Sequence, residues 1–315
     1  MIPLQKNKYL GYEIDQSPFY CLKSQSKLAN LLWVGKDKLK ILTHSEELYC
    51  EASISSQFGK IRILEKPRPD LKRIQKQIED ILKRIKCPNY LHNPKKGCSY
   101  ISNAKVHVNA SVVRTLDIEK YFLSTPSRRV YWFFHKRMKC SQDVASILTK
   151  ILTFKDHLPT GSPSSPIISY FAHVDMWGAI NEIVERENCT LSVYMDDITV
   201  SGALVSDKLI WEIKKLLHRN GLRSNNKKEK RYAGNQFRKV TGIVITPEGE
   251  LKVPNRQHLK MHKTRKEICS PVNLEKRKRL FQRLRGLEAQ AKQIREANTI
   301  QNQTQVISSN QDRNE

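Results

Sequence analysis

Acidic residues are scarce in this chain of 315 residues: 31 Asp and Glu stand against 56 Lys and Arg, a formal net charge of +25. A one-sided excess along the whole length implies a polyanionic partner, most simply nucleic acid, with an anionic membrane surface as the other candidate. Long apolar runs are also missing. Val130-Tyr131-Trp132-Phe133-Phe134 is far too short to span a bilayer. Met1 to Asp15 holds no continuous apolar stretch, so no signal peptide is expected. The seven cysteines (Cys21, Cys50, Cys87, Cys98, Cys140, Cys189 and Cys269) form no CxxC pair. Their odd number and wide spacing suit free thiols in a reducing cytoplasm rather than a zinc site or a disulfide framework. No internal repeat is present.

What is there is a pair of adjacent acids. Tyr194-Met195-Asp196-Asp197 lies between Leu191-Ser192-Val193 and Ile198-Thr199-Val200-Ser201-Gly202. Flanks of that composition read as two strands, with Met195-Asp196-Asp197 at or near a hairpin turn. Adjacent carboxylates repel, and a turn needing only polarity more often uses Asn-Gly or Asp-Gly. A divalent cation would remove the repulsion, because Mg²⁺ prefers carboxylate and phosphate oxygens. A lone Asp-Asp pair is most often a solvated turn, so the argument for chemistry rests on the other segments.

Residues 1–58 carry short apolar patches and no chemical motif. Gly59 to Leu64 alternates basic and apolar residues as a half-wet strand does, Pro67 and Pro69 break it, and Asp70 is placed to cap the next helix. Leu71, Ile74, Ile78, Ile81, Leu82 and Ile85 recur at helical spacing. Val112 to Ile118 reads as a buried strand with Asp117 near its end, and residues 140–155 as a helix. Ser165-Pro166 opens what reads as one helix to about Arg186, and Ser206 to Asn220 an amphipathic helix closed by Gly221. Val240 to Ile245 and Leu251 to Val253 flank a turn at Pro247-Glu248-Gly249. Residues 256–297 read as basic helix with a break at Ser270-Pro271, and Asn298 to Glu315 as a disordered polar tail.

Asp117 and the Asp196-Asp197 hairpin can lie side by side in one antiparallel sheet. Three acids gathered there suit two Mg²⁺ ions, with Mn²⁺ a candidate substitute, that clamp the attacking hydroxyl and the leaving pyrophosphate of an in-line phosphoryl transfer. The order strand-acid, helix, acid-acid hairpin is that of a polymerase palm.

The chain resembles a reverse transcriptase, and within that class the bacterial retron type, over roughly residues 28–265. Tyr194-Met195-Asp196-Asp197 matches the YxDD box, with Met195 where retron enzymes more often carry Ala. Leu116-Asp117-Ile118-Glu119-Lys120-Tyr121-Phe122 matches the first palm motif, which implies Asp117, Asp196 and Asp197 as catalytic metal ligands. Phe122 falls where the family excludes a ribose 2′ hydroxyl, implying deoxynucleotide substrates. Leu158 to Pro166 resembles the LPQGxxxSP pocket motif, with Thr160 in place of Gln and Gly161 shaping the nucleotide site. Lys60 and Arg62 are similar to the residues that grip the triphosphate. Lys228, with Lys227 beside it as the alternative, sits near the family's lysine that protonates pyrophosphate. Asn103-Ala104-Lys105-Val106-His107 fits the retron NAxxH element and Val240-Thr241-Gly242 the VTG element. The resemblance assigns both regions to the cognate noncoding RNA. His107 taken alone is more often a structural hydrogen-bonding residue.

The fold class implied is α+β, a right-hand polymerase with fingers, a palm whose antiparallel sheet carries the acids, and a helical thumb. Its expected parts are an N-terminal segment (1–58), fingers (59–110), palm (111–245, with a finger-associated helix at 140–155), thumb (246–297) and tail (298–315). The basic helix from Lys276 to Arg295 is expected to track a duplex backbone. The activity implied is retron RNA-directed DNA synthesis in the bacterial cytoplasm. The RNA partner would be template and primer, dNTPs the substrate, and branched multicopy single-stranded DNA the product. The implied setting is anti-phage defence with a separately encoded effector, since the chain looks too short to include one. The rivals are group II intron, diversity-generating or abortive-infection reverse transcriptases, and a catalytically silent RNA-binding scaffold. An intron enzyme would bring a maturase domain that residues 298–315 do not supply.

Overall fold

The computed structural model describes residues 11–44, 48–55, 61–271 and 273–311. The chain begins with α1 (Gln25–Leu31) and α2 (Lys36–His44), then a hairpin of β1 (Tyr49–Ser55) and β2 (Ile61–Pro67), and α3 (Pro69–Leu82). β3 (Leu91–Asn93), α4 (Tyr100–Lys105) and β4 (Val112–Asp117) follow, then α5 (Ser127–Trp132), α6 (Gln142–Leu152), α7 (Ser165–Ala172) and α8 (Val174–Arg186). The acid hairpin is β5 (Thr190–Tyr194) and β6 (Asp197–Gly202), followed by α9 (Asp207–Arg219) and β7 (Lys230–Ala233). β8 (Arg238–Val240), β9 (Ile243–Ile245) and β10 (Leu251–Lys252) lead into α10 (Asn255–Cys269) and α11 (Leu274–Gln311).

The principal sheet has the order β3-β5-β6-β4-β7. It is antiparallel except for β3, a three-residue strand that pairs parallel to β5. One face packs into the larger core, where Leu116, Ile118, Val193, Ile198 and Val200 meet the apolar sides of α3, α6, α7, α8 and α9. A smaller core collects Ala104 and Val108 beside α4, Val113 of β4, and Val240, Ile243, Ile245 and Leu251 of the three-stranded sheet. Ile294 of α11 closes it.

Local signals account for most of these boundaries. The Ser206 hydroxyl accepts from the Leu209 amide and opens α9, and Gly221 takes the left-handed conformation (φ +78°) after its end. Ser99 and Ser102 cap α4 reciprocally. Four expectations are corrected. Arg68, not Asp70, caps α3, because Pro69 takes the first helical position and leaves Asp70 to pair with Lys38 at 2.8 Å. The segment from Ser165 to Arg186 is two helices, because His173 leaves the helical region (φ −121°) and its buried ring turns to Thr125. The expected strand from Val240 to Ile245 is split by a turn.

The fourth correction concerns the tail. The helix continues through 298–311, a stretch without Gly or Pro to stop it. Asn298 is tied down: its side chain accepts from the Leu251 amide and donates to the Leu251 carbonyl, both at 2.9 Å. It serves β10 as an adjacent strand would. Among the described residues, no helix is long and apolar enough to cross a membrane.

Two histidines are wholly buried. His107 has its ring nitrogens 2.6 and 2.7 Å from the hydroxyls of Ser201 and Ser192, and His173 packs against Tyr121. Burial pushes both pKa values down to about 3. Below pH 6.5 the unfolded chain therefore takes up protons that the folded chain refuses, so stability falls from there toward pH 3. One such histidine contributes a loss of about 2 kcal/mol at pH 5. Urea unfolding at pH 7.5, 6 and 5 should give a visibly flatter pH dependence for His107→Gln than for the wild type; equal slopes would refute the assignment.

Candidate active site

The acid hairpin is a two-residue turn. Tyr194 pairs with Asp197, leaving Met195 and Asp196 as its centre. Met195 takes a positive φ of 58°, a strained choice for a side chain of its size. Asp117 closes β4 in the pair position opposite Asp197, the Ile118 amide donates to the Asp196 carbonyl at 2.9 Å, and the three acids share one sheet end. The Asp117 carboxylate is buried and takes both its partners' bonds from Lys228, whose ammonium lies 2.9 Å from Oδ2 and contacts Oδ1.

Electrostatics mark this sheet end as short of positive charge. Burial raises the pKa of Asp197 to about 7, and the neighbouring Asp196 and Asp117 push in the same direction against Lys228. Among the described residues, no group of three or more His, Cys, Asp or Glu side chains is gathered closely enough to hold a metal ion by itself. An open set of carboxylates fits Mg²⁺, which keeps several waters and takes its remaining ligands from substrate phosphates. Asp117 and Asp197, opposite each other on β4 and β6, are donors of the type that such a cation takes.

Lys228 rather than Lys227 reaches the acids, for reasons that lie in the backbone. The Asn225 amide donates to the Asp117 carbonyl at 2.7 Å, and Glu119 donates to the Arg223 carbonyl at 2.8 Å. Beside the lysine, Glu229 accepts from Arg114 at 2.9 Å and from Lys214 at 2.5 Å. Arg114, buried in β4, also donates to Asp207 at 2.5 Å. Sequence reasoning missed this network. Its signal was present: a guanidinium in the middle of an apolar strand must be paired.

Phe122 follows Tyr121, whose hydroxyl donates to the Ser169 carbonyl and accepts from Trp177. The half-buried Phe122 ring stacks on Tyr121, and its carbonyl receives the Leu158 amide at 3.3 Å. That bond joins the first acid's segment to the loop of Thr160 and Gly161. Gly161 has a steric cause: a Cβ there would stand 2.5 Å from the Glu65 carbonyl oxygen of β2. Lys60 lies outside the described residues, and Arg62 is placed on β2, its backbone paired with Ile54.

The NAxxH and VTG elements come together. Thr241 and Gly242 are the two central residues of the β8–β9 turn, both at positive φ (45° and 83°). Asn103 donates to the Thr241 hydroxyl at 3.3 Å, and that hydroxyl donates to the Tyr100 carbonyl at 3.1 Å. Asn103, His107 and Val240 are buried, so direct contact with RNA, expected of all five residues, is corrected here: only Thr241 and Gly242 have surface to offer. His107 instead fastens α4's exit to both strands of the acid hairpin.

The sequence model of the family described as reverse transcriptase (RNA-dependent DNA polymerase) matches residues 53–262, more than half of the 315. The chain belongs to the reverse transcriptase family. Members of this family work with divalent metal ions. The chain is similar to the retron Se72 reverse transcriptase of Salmonella heidelberg (strain 579083-10), at 34% identity over 147 residues, 45% of this chain and 38% of that one. The retron Ec86 reverse transcriptase of Escherichia coli is 28% identical over 194 residues, 60% of either chain. The retron Mx162 reverse transcriptase of Myxococcus xanthus is 23% identical over 264 residues, 73% of this chain and 54% of that one. Each match thus takes in less than two thirds of the relative's own length. Among solved structures, a foamy viral protease-reverse transcriptase in complex with RNA/DNA hybrid aligns with 76% of this chain and 27% of its own. That likeness is distant, with a TM-score of 0.46 and 18% identity.

The Arg114 network generates its own test. Arg114→Met leaves Glu229 with one cation fewer beside a buried strand and should cost about 2–4 kcal/mol in urea unfolding. Asp207→Asn, at an exposed carboxylate, should leave the midpoint nearly where it was. Equal effects from the two would mean that Arg114 acts through the exposed Asp207 pair rather than through Glu229.

Proposed function

We propose that this chain is an RNA-directed DNA polymerase of the retron type. The observation that carries the reading is the placement of Asp117 opposite Asp197 at one sheet end, with Asp196 in the adjoining turn and Lys228 on Asp117. Residues 59–110 serve as fingers, 111–245 as palm and 246–297 as thumb. Two bound Mg²⁺ ions, held by Asp117, Asp196 and Asp197, would lower the pKa of the primer hydroxyl and neutralise charge on the departing pyrophosphate. The chain's own groups do the rest. The Phe122 ring occupies the space that a 2′ hydroxyl would need, and the Thr160-Gly161 loop walls the nucleotide pocket. Lys60 and Arg62 hold the triphosphate, a guanidinium doing so through paired hydrogen bonds. Lys228, one hydrogen bond from Asp117, passes its proton to the leaving group once substrate displaces it from the acid.

The retron assignment draws on the paired NAxxH and VTG elements, joined by the Asn103–Thr241 hydrogen bond, and on the similarity to retron enzymes. The substrate is then a structured noncoding RNA that is both template and primer. The Thr241-Gly242 turn would meet it, and the basic face of α10 and α11 would follow the duplex backbone. The product is a branched single-stranded DNA made in the bacterial cytoplasm, in an anti-phage system with a separately encoded effector.

The test is expression of the chain with its flanking DNA, beside an Asp197→Asn control. A discrete short DNA, linked to RNA until RNase is added, is expected from the wild type alone, with synthesis reduced on the order of 10³-fold or more in the variant. Primer extension on added RNA without that species would replace the retron assignment by another reverse transcriptase lineage, and neither product would leave the scaffold in front. Phe122→Ala should incorporate ribonucleotides in a primer-extension assay; continued strict rejection would move the gate elsewhere.

A further inference from the structure

Thr160 stands where the family carries Gln, and its side chain faces a strand. Its hydroxyl accepts from the Glu65 amide at 3.0 Å and donates to the Ile63 carbonyl at 3.2 Å. A hydroxyl has a single proton to give, so this one has none left for a nucleotide. The main chain completes the seam. The Glu65 carboxylate accepts from the Thr160 amide at 3.2 Å and the Glu65 carbonyl accepts from the Gly161 amide at 3.0 Å. The other Glu65 oxygen lies 2.8 Å from His157 Nε2. Glu65 is 5% exposed, so an acid on a strand of the hairpin is committed wholly to the pocket loop.

This seam governs the β1–β2 hairpin. The hairpin is paired from Tyr49–Pro67 out to Ser55–Ile61. At its base, the Tyr49 ring meets Phe154 and Glu51 pairs with Lys155. Thr160 grips the other strand, at Glu65, which faces Glu51 across the hairpin, and at Ile63, which faces Ser53. A hairpin held through one strand can tilt, and one held through both has a fixed angle.

We propose that Thr160 is a positioning residue for the incoming nucleotide: its hydroxyl locks the strand carrying Arg62 to the Thr160-Gly161 loop, and it makes no contact with substrate itself. The nucleotide is then selected through the main chain of the loop, at a position that the seam fixes against β2. This rests on the reading of Arg62 as a triphosphate-gripping residue.

The experiment is single-nucleotide incorporation by the full chain, comparing Thr160→Val, Thr160→Ser and Arg62→Ala, with amide hydrogen exchange on the same proteins. Thr160→Val keeps the shape and removes both hydroxyl bonds. The expected result is a KM for dNTP raised roughly tenfold with kcat within about twofold, the size that one or two lost hydrogen bonds allow. Thr160→Ser should restore the wild-type KM, and the Glu65 and Gly161 amides should exchange faster in Thr160→Val alone. A raised KM with unchanged exchange at Glu65 would mean that Thr160 touches the nucleotide, and would overturn the proposal. A fall in thermal stability with unchanged KM would overturn it too, leaving only a structural tie. Arg62→Ala separates the premises: an unchanged KM in that variant refutes the reading of Arg62. A raised KM there, beside a normal one in Thr160→Val, refutes the role of Thr160.

Discussion

Mutual repulsion among three carboxylates at one sheet end is the constraint around which the rest of the protein is arranged. Like charges close together in a partly dry site destabilise one another, and the Asp197 pKa is raised to about 7, first by burial and then by its two acidic neighbours. The relief comes from cations, and in the structure the cation is Lys228, set on Asp117 by a loop bonded to β4 through its backbone. The Arg114–Glu229–Lys214 network then holds that loop. A divalent ion would do the same neutralisation with more charge.

Rigid links carry the geometry of this sheet end outward. His107 bridges Ser192 and Ser201 on the two strands of the acid hairpin, and Asn103, four residues earlier, reaches the Thr241 turn. The turn that presents Thr241 and Gly242 is therefore tied to the strands that present Asp196 and Asp197. On the other side, the seam between β2 and the Thr160-Gly161 loop joins the hairpin to the body. Asn298 on α11 clasps β10 in the same manner, with one side chain standing in for a strand. In each link a buried polar group has every incentive to keep its partners, because losing one strands the other away from water.

Legibility in the sequence followed the range of the interaction responsible. The acid hairpin, β4, α9 with its Ser206 cap and Gly221 stop, and the break near Ser270 were readable, since each is set by residues a few positions apart. The break at His173 was not, because no Gly or Pro marks it and the ring is turned by a contact with Thr125, distant in sequence. The split of Val240 to Ile245 was hidden for a related reason: Thr241 is a β-branched residue at positive φ, where propensity alone would forbid it. β3 could not be foreseen, being three residues long and paired parallel to a strand a hundred positions later.

By itself the sequence determined the charge, the spacing and the kinds of side chain available for chemistry, because those depend only on composition and on local periodicity. It also carried the family's motifs in order. Tertiary structure decided which of these residues meet. It put Lys228 rather than Lys227 on Asp117. It placed Asn103, His107 and Val240 beneath the surface instead of on it, and it turned the Thr160 hydroxyl toward β2. The physical reason is common to all three. Whether a polar group faces water, a partner or a substrate depends on hydrogen bonds closed between segments far apart in the chain, and those exist only once the sheet has formed.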